Sequence, residues 1–154
     1  MKALVFAAAI AAAASLAGFA SAAPPADVSI QLFPTTFCCP EAGTWQASGG
    51  ISDSGTYIRT DVHGTGSLPD CFCPPTHTGA FQETFLLTST AGTFVVKAEE
   101  QVTPTGDVFG KTTGVWQVMA GTGAYAALSG HGTDEFLFGP PLTLALTGVV
   151  SKAD

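Results

Sequence analysis

Beyond residue 25 the chain runs in short stretches of alternating polar and apolar residues, broken about every ten residues by glycine, proline, aspartate or threonine. This period of two is that of a strand with one face buried. The clearest segments are 28–33, 44–51, 56–63, 80–88 and 93–102, followed by 114–120, 125–129, 135–138 and 142–150. In the fourth, Phe81, Glu83, Phe85 and Leu87 share one face, and Gln82, Thr84, Leu86 and Thr88 share the other. Ala91-Gly92 then forms a tight turn into Thr93, which predicts an antiparallel hairpin. Three prolines between Ser67 and His77 exclude a central strand there and predict a loop. No stretch keeps a helical period over ten residues or more. No internal repeat, linker or second domain stands out. The expected fold is all-β, with turn signals spaced as in meanders, sandwiches and barrels.

The first 23 residues follow a different pattern. Lys2 gives a positive start, residues 3–14 are unbroken apolar, and the small residues Ala20-Ser21-Ala22-Ala23 precede Pro24-Pro25. This is the layout of a cleavable secretory signal, cut after Ala22 or Ala23. The competing reading is a membrane anchor, since the apolar run nearly reaches the roughly 20 residues a span needs. The run is mostly alanine, no basic cluster follows it and no cysteine sits at the cut, so no stable membrane anchor is expected. Residues 24–154 then form one exported domain of about 130 residues, long enough to bury a core of its own.

The precursor has 5 basic and 12 acidic residues. Cleavage removes Lys2, leaving four (5 − 1), while every acid lies beyond the signal. An anionic protein lacks the lysines and arginines that neutralise phosphate, which excludes nucleic acid and anionic membrane surfaces as partners.

The stretch from Gly114 to Ala120, through Gly121-Thr122-Gly123-Ala124-Tyr125, to Leu128-Ser129-Gly130-His131-Gly132 has a distinctive layout. It runs strand, Gly-x-Gly turn, aromatic residue, leucine and a second Gly-x-Gly. It resembles the corresponding pattern in the allene oxide cyclase and dirigent-like β-barrel superfamily. That resemblance implies a single antiparallel barrel of about eight strands, often a homo-oligomer, with a cavity able to hold a small apolar molecule. In the plant enzymes such a cavity guides a cyclisation or a radical coupling. Barrels of this size are either filled by side chains or hold one small ligand. The glycines themselves also fit plain turn geometry, and a phosphate loop would need a following helix that is not expected.

Cys38, Cys39, Cys71 and Cys73 in an exported chain point to two disulfides. A bond between the adjacent Cys38 and Cys39 would be strained and would tie down almost nothing. Pairing each of them with Cys71 or Cys73 closes loops of roughly thirty residues, worth about 3–4 kcal/mol in the chain-entropy account. The competing reading sets Cys71, Cys73 and His77 with Cys38 or Cys39 around a soft metal, although the spacing is no standard zinc signature. No metal site and no cofactor are expected.

Candidate chemistry rests on residues within expected strands. Tyr57, Arg59, Glu83, Lys97, Glu99, Trp116 and Tyr125 are the candidates for lining a cavity. Alternation puts Lys97 and Glu99 on one face. Pointing inward beside Glu83, they would form an acid–base pair. Pointing outward, they would be a solvated surface pair, with Phe94 and Val96 taking the interior. Trp45, Tyr57, Phe81, Phe85, Phe94, Trp116 and Tyr125 recur at strand spacing as core aromatics. No nucleophile elbow and no zinc-protease helix motif occurs. Two functions follow as expectations: a secreted, non-enzymatic barrel that binds a small apolar molecule or serves as an extracellular structural module, or a cyclase or isomerase working in the barrel cavity.

Overall fold

The computed structural model describes residues 23–36, 41–64, 79–103, 111–137 and 142–153. The expected leader, all four cysteines and His77 lie outside them. Eight strands follow in order: β1 (Ala26–Thr36), β2 (Ala42–Gly49), β3 (Asp53–Gly64), β4 (Ala80–Thr88), β5 (Thr93–Thr103), β6 (Lys111–Gly121), β7 (Leu128–Leu137) and β8 (Thr143–Lys152). Each pairs antiparallel with the next, and β8 pairs with β1 to close the barrel. Among the described residues no helix is long and apolar enough to cross a membrane.

Antiparallel order fixes what lies at each end. The β1–β2, β3–β4, β5–β6 and β7–β8 connections all leave from one end, here the loop-bearing end. The β2–β3, β4–β5 and β6–β7 connections lie at the other, together with the start of β1 and the finish of β8. At that second end Ser89 N donates to Gly92 O at 2.9 Å, closing the hairpin that Ala91-Gly92 predicts. A 3-10 turn, Gly123–Tyr125, follows β6 there and docks on the hairpin, with Ala124 N donating to Ala91 O at 2.8 Å.

The period of two sorts the side chains. Val28, Ile30 and Leu32 of β1, Phe85 and Leu87 of β4, Phe94, Val96 and Ala98 of β5, and Leu144 and Leu146 of β8 are buried in one core. All seven aromatics assigned to the core are buried. Phe94 packs edge-on against Trp45, with centroids 5.4 Å apart, and tilted against Tyr125 at 4.9 Å, which seals the end opposite the loops.

Two tryptophans are built in by the same device. Trp45 of β2 lies across Gly55 of β3, and its indole Nε1 donates to Thr88 O of β4 at 3.1 Å. Trp116 of β6 lies across Gly132 of β7 and donates to Thr147 O of β8, also at 3.1 Å. A Cβ on Gly55 or Gly132 would overlap the same carbonyl that accepts the indole proton. Strands four apart stand opposite in an eight-strand ring, so the device recurs once in each half. The local sequences match, Gly43-Thr44-Trp45-Gln46 and Gly114-Val115-Trp116-Gln117.

The structure also joins the expected segments 125–129 and 135–138 into the single strand β7. Gly130 and Gly132 read as turn residues because glycine is disfavoured in strands. They sit in β7 because β8 lies too close for a side chain, with Thr147 and Gly148 backbone against Gly132 and the Val150 side chain against Gly130.

Candidate functional site

Aromatic and aliphatic groups fill the sealed half of the interior, and the loop-bearing half is polar. Six polar or charged residues are buried among those described, Glu41, Arg59, Glu83, Glu100, Thr112 and Asp134. Glu41 stands just ahead of β2 and continues its pairing, since Arg59 N donates to Glu41 O at 2.8 Å. A bulge between Arg59 and Asp61 resets the β3–β4 register, and Arg59 reaches Glu83 across it. Arg59 Nη1 lies 2.5 Å from Glu83 Oε1 and 3.2 Å from Glu41 Oε2. Tyr57 Oη donates to Glu41 Oε1 at 2.8 Å. Tyrosine, glutamate, arginine and glutamate thus form one continuous hydrogen-bonded chain.

The facing strands carry a second acidic group. Gly114 of β6 pairs with Glu100 of β5 on one side and Asp134 of β7 on the other. The missing side chain at 114 lets the Asp134 carboxylate lean over the strand, where a Cβ would stand 2.6 Å from Asp134 Oδ1. Thr112 Oγ1 donates to Glu100 Oε2. Glu100 Oε1 and both carboxylate oxygens of Asp134 are buried without a hydrogen-bond partner.

Four carboxylates against one guanidinium would give this interior a charge of −3 (1 − 4) if every group were ionised. Burial opposes that. It raises the Glu83 carboxyl to about 7 against the pull of Arg59, and the Asp134 carboxyl to about 6. Burial, reinforced by Glu83 and Asp134, lifts Glu100 well above the usual range. Burial also raises Glu41, although Arg59 and Tyr57 hold it back, and pushes the Tyr57 phenol upward.

A cavity of about 10 Å³ lies among Glu41, Arg59, Phe81, Glu83, Phe136 and Leu144, room for a single water. An open surface groove of about 650 Å³ runs beside the strand ends nearest the loops, with Phe81, Gln82, Glu99, Glu100, Gly114 and Val115 in its wall. Among the described residues no three His, Cys, Asp or Glu side chains converge as a metal's ligands would.

The structure therefore brings three of the sequence candidates together, Tyr57, Arg59 and Glu83. Trp116 is buried in the wall of the core, and Tyr125 caps the sealed end, its hydroxyl bonded to Asp53. Lys97 and Glu99 do not join them. Phe94, Val96, Ala98 and Glu100 take the inward positions of β5, which turns Lys97 and Glu99 outward as a surface pair 2.9 Å apart. Sequence reasoning missed Glu41, Glu100, Thr112 and Asp134. Glu100 follows Phe94, Val96 and Ala98 at every second position, and Asp134 stands two before Phe136, so alternation alone would have placed both inside.

These features define a class, a closed eight-stranded antiparallel barrel with an aromatic half and an acidic half. Compared with models of known protein families, with curated proteins and with solved structures, the chain matches none.

Proposed function

We propose that this protein is an exported, non-enzymatic barrel that binds a small molecule at its loop-bearing end. The observation that supports the reading is the open groove beside that end, about 650 Å³ in volume and walled by apolar Phe81 and Val115 together with polar Gln82 and Glu99. The tightly packed aromatic half argues for a seat on the outer rim, with the apolar body of the ligand against the exposed Val115. Export accounts for the leader-like start and for four cysteines in an otherwise cysteine-free chain. The resemblance to the allene oxide cyclase and dirigent-like superfamily fits the barrel shape and is offered on that ground alone.

Native mass spectrometry of protein secreted by its own cells tests this reading. The expected result is a bound organic mass released on unfolding, with a thermal midpoint that drops once the ligand is stripped and returns on adding it back. Protein that is ligand-free from every preparation, and that neutral apolar dyes neither bind nor stabilise, would overturn it.

The second reading, a cyclase or isomerase, is favoured by one observation. Tyr57, Glu41, Arg59 and Glu83 form a connected chain whose Glu83 carboxyl titrates near neutrality, as an acid–base group must. Under that reading Glu83→Gln abolishes turnover of the ligand and leaves its binding intact.

A further inference from the structure

We propose that the Glu100–Gly114–Asp134 row, together with Glu41, Arg59 and Glu83 on the facing strands, is a proton-linked switch that keeps the strands at the loop-bearing end firmly paired in acid and loosens that pairing as the pH rises through neutrality. The inference is independent of any ligand.

The geometry leads to it directly. Three carboxylate oxygens on Glu100 and Asp134 are buried and unpartnered, and both residues are more than nine-tenths buried. Arg59, the one cation buried among the described residues, is engaged by Glu41 and Glu83 on the other wall. The unpartnered oxygens of Glu100 and Asp134 are themselves out of reach of solvent, and the cavity of about 10 Å³ beside Glu41, Arg59 and Glu83 admits a single water. A carboxylate in such a place keeps its buried position by keeping a proton.

The inward groups around the row are Tyr57 and Arg59 from β3, Glu83 from β4, Glu100 from β5, Thr112 from β6 and Asp134 from β7, with Glu41 ahead of β2. The buried positions of β1 and β8 are apolar. Lys97, Glu99, Lys111 and Glu135 face outward in surface pairs and leave the interior balance unchanged.

The sign follows from which state holds more protons. With Asp134 at about 6 and Glu83 at about 7, the folded barrel retains protons that the unfolded chain releases from about pH 4 upward. The stability these groups contribute is complete below about pH 4, the unfolded range, and is lost as the pH climbs through 6 and 7. The affected groups occupy one half of the interior only. The half around Trp45, Phe94 and Tyr125 contains no buried carboxylate among the described residues.

Amide hydrogen exchange on the full mature protein at pH 5 and pH 8, corrected for base catalysis, reads both the sign and the place. Protection is expected to fall by at least about tenfold at pH 8, one pKa unit's worth, across residues 98–103, 111–115 and 132–137. Residues 28–32, 44–48 and 93–96 are expected to change little. A Glu100→Gln, Asp134→Asn double variant, which fixes the neutral shape of the row, should shrink the difference to the share that Glu83 carries. In the native chain, an infrared band of protonated carboxyl groups is expected at pH 5 and weaker at pH 8, a readout that stands even if the double variant fails to fold. Equal protection at both pH values, an equal loss in both halves, or a double variant with the full difference would each overturn the proposal.

Discussion

Gly55 and Gly132 are positions where one methyl group has nowhere to go. Each lies against the carbonyl that an indole binds, so a side chain must move the neighbouring strand and, at Gly55, the Trp45 ring as well. Forcing atoms into a packed interior costs about 1–3 kcal/mol, and losing the indole hydrogen bond adds about 1 kcal/mol. Gly132→Ala is therefore expected to lower stability by about 2–4 kcal/mol in urea unfolding followed by tryptophan fluorescence. The nearby Gly114→Ala clashes with the movable end of Asp134 as well as with backbone, and so tests the acidic row rather than the tryptophan seat. At this scale the sequence was legible in part. Both tryptophans read as core, but the glycine paired with each did not. Ten residues separate Trp45 from Gly55 and sixteen separate Trp116 from Gly132, so only the strand register shows that the two pairs are alike.

Strands and turns were easier to read than the contacts between them. Alternation placed Glu83 with Phe81 and Phe85 correctly, and Arg59 was also a candidate, yet nothing local says that the two meet. The bulge after Arg59 shifts the β3–β4 register by one residue, and beyond it Thr60-Asp61-Val62-His63-Gly64 holds too few apolar residues for the change of phase to show in the sequence. Glu41 lies next to a proline and outside any alternating run, so it gave no signal at all. The 3-10 turn Gly123–Tyr125 carries its own test. The Tyr125 hydroxyl donates to Asp53 beside the β2–β3 connection, and this bond holds the Asp53 carboxyl below its usual range. A lowered carboxylate contributes stability above its ordinary range and loses it as the pH falls, the opposite of the interior acids. Tyr125→Phe should lower stability by about 1 kcal/mol at neutral pH and by less at pH 3. Urea midpoints of the variant and the native protein at the two pH values measure the difference.

Closure of the ring is a property of the whole molecule, and no single segment announces it. The pairing of β1 with β8 joins residues more than a hundred positions apart, and the alternating pattern would serve an open sheet as well as a barrel. The structure adds that Ala23 N donates to Lys152 O at 3.1 Å, so the two ends of the folded domain lie side by side. A chain whose ends touch can be joined there and reopened elsewhere when the new break spares the strands. The β5–β6 connection suits this purpose because it contains no cysteine and lies between complete strands. A permutant beginning at Lys111, linked from Ala153 to Ala23 by a few glycines and serines and ending at Thr103, keeps all eight pairings in the ring. Loop-closure entropy changes slowly with length, so its stability should stay within about 1–2 kcal/mol of the parent. The measurement is near-ultraviolet circular dichroism, where Trp45 and Trp116 report packed indoles from opposite sides of the barrel. A permutant with the parent's signal establishes that β1 and β8 close the ring in solution. A soluble permutant with strand content but no indole signal would mean that this closure depends on the original order of the chain, and that the halves marked by the two Gly-x-Trp-Gln segments do not assemble independently of it.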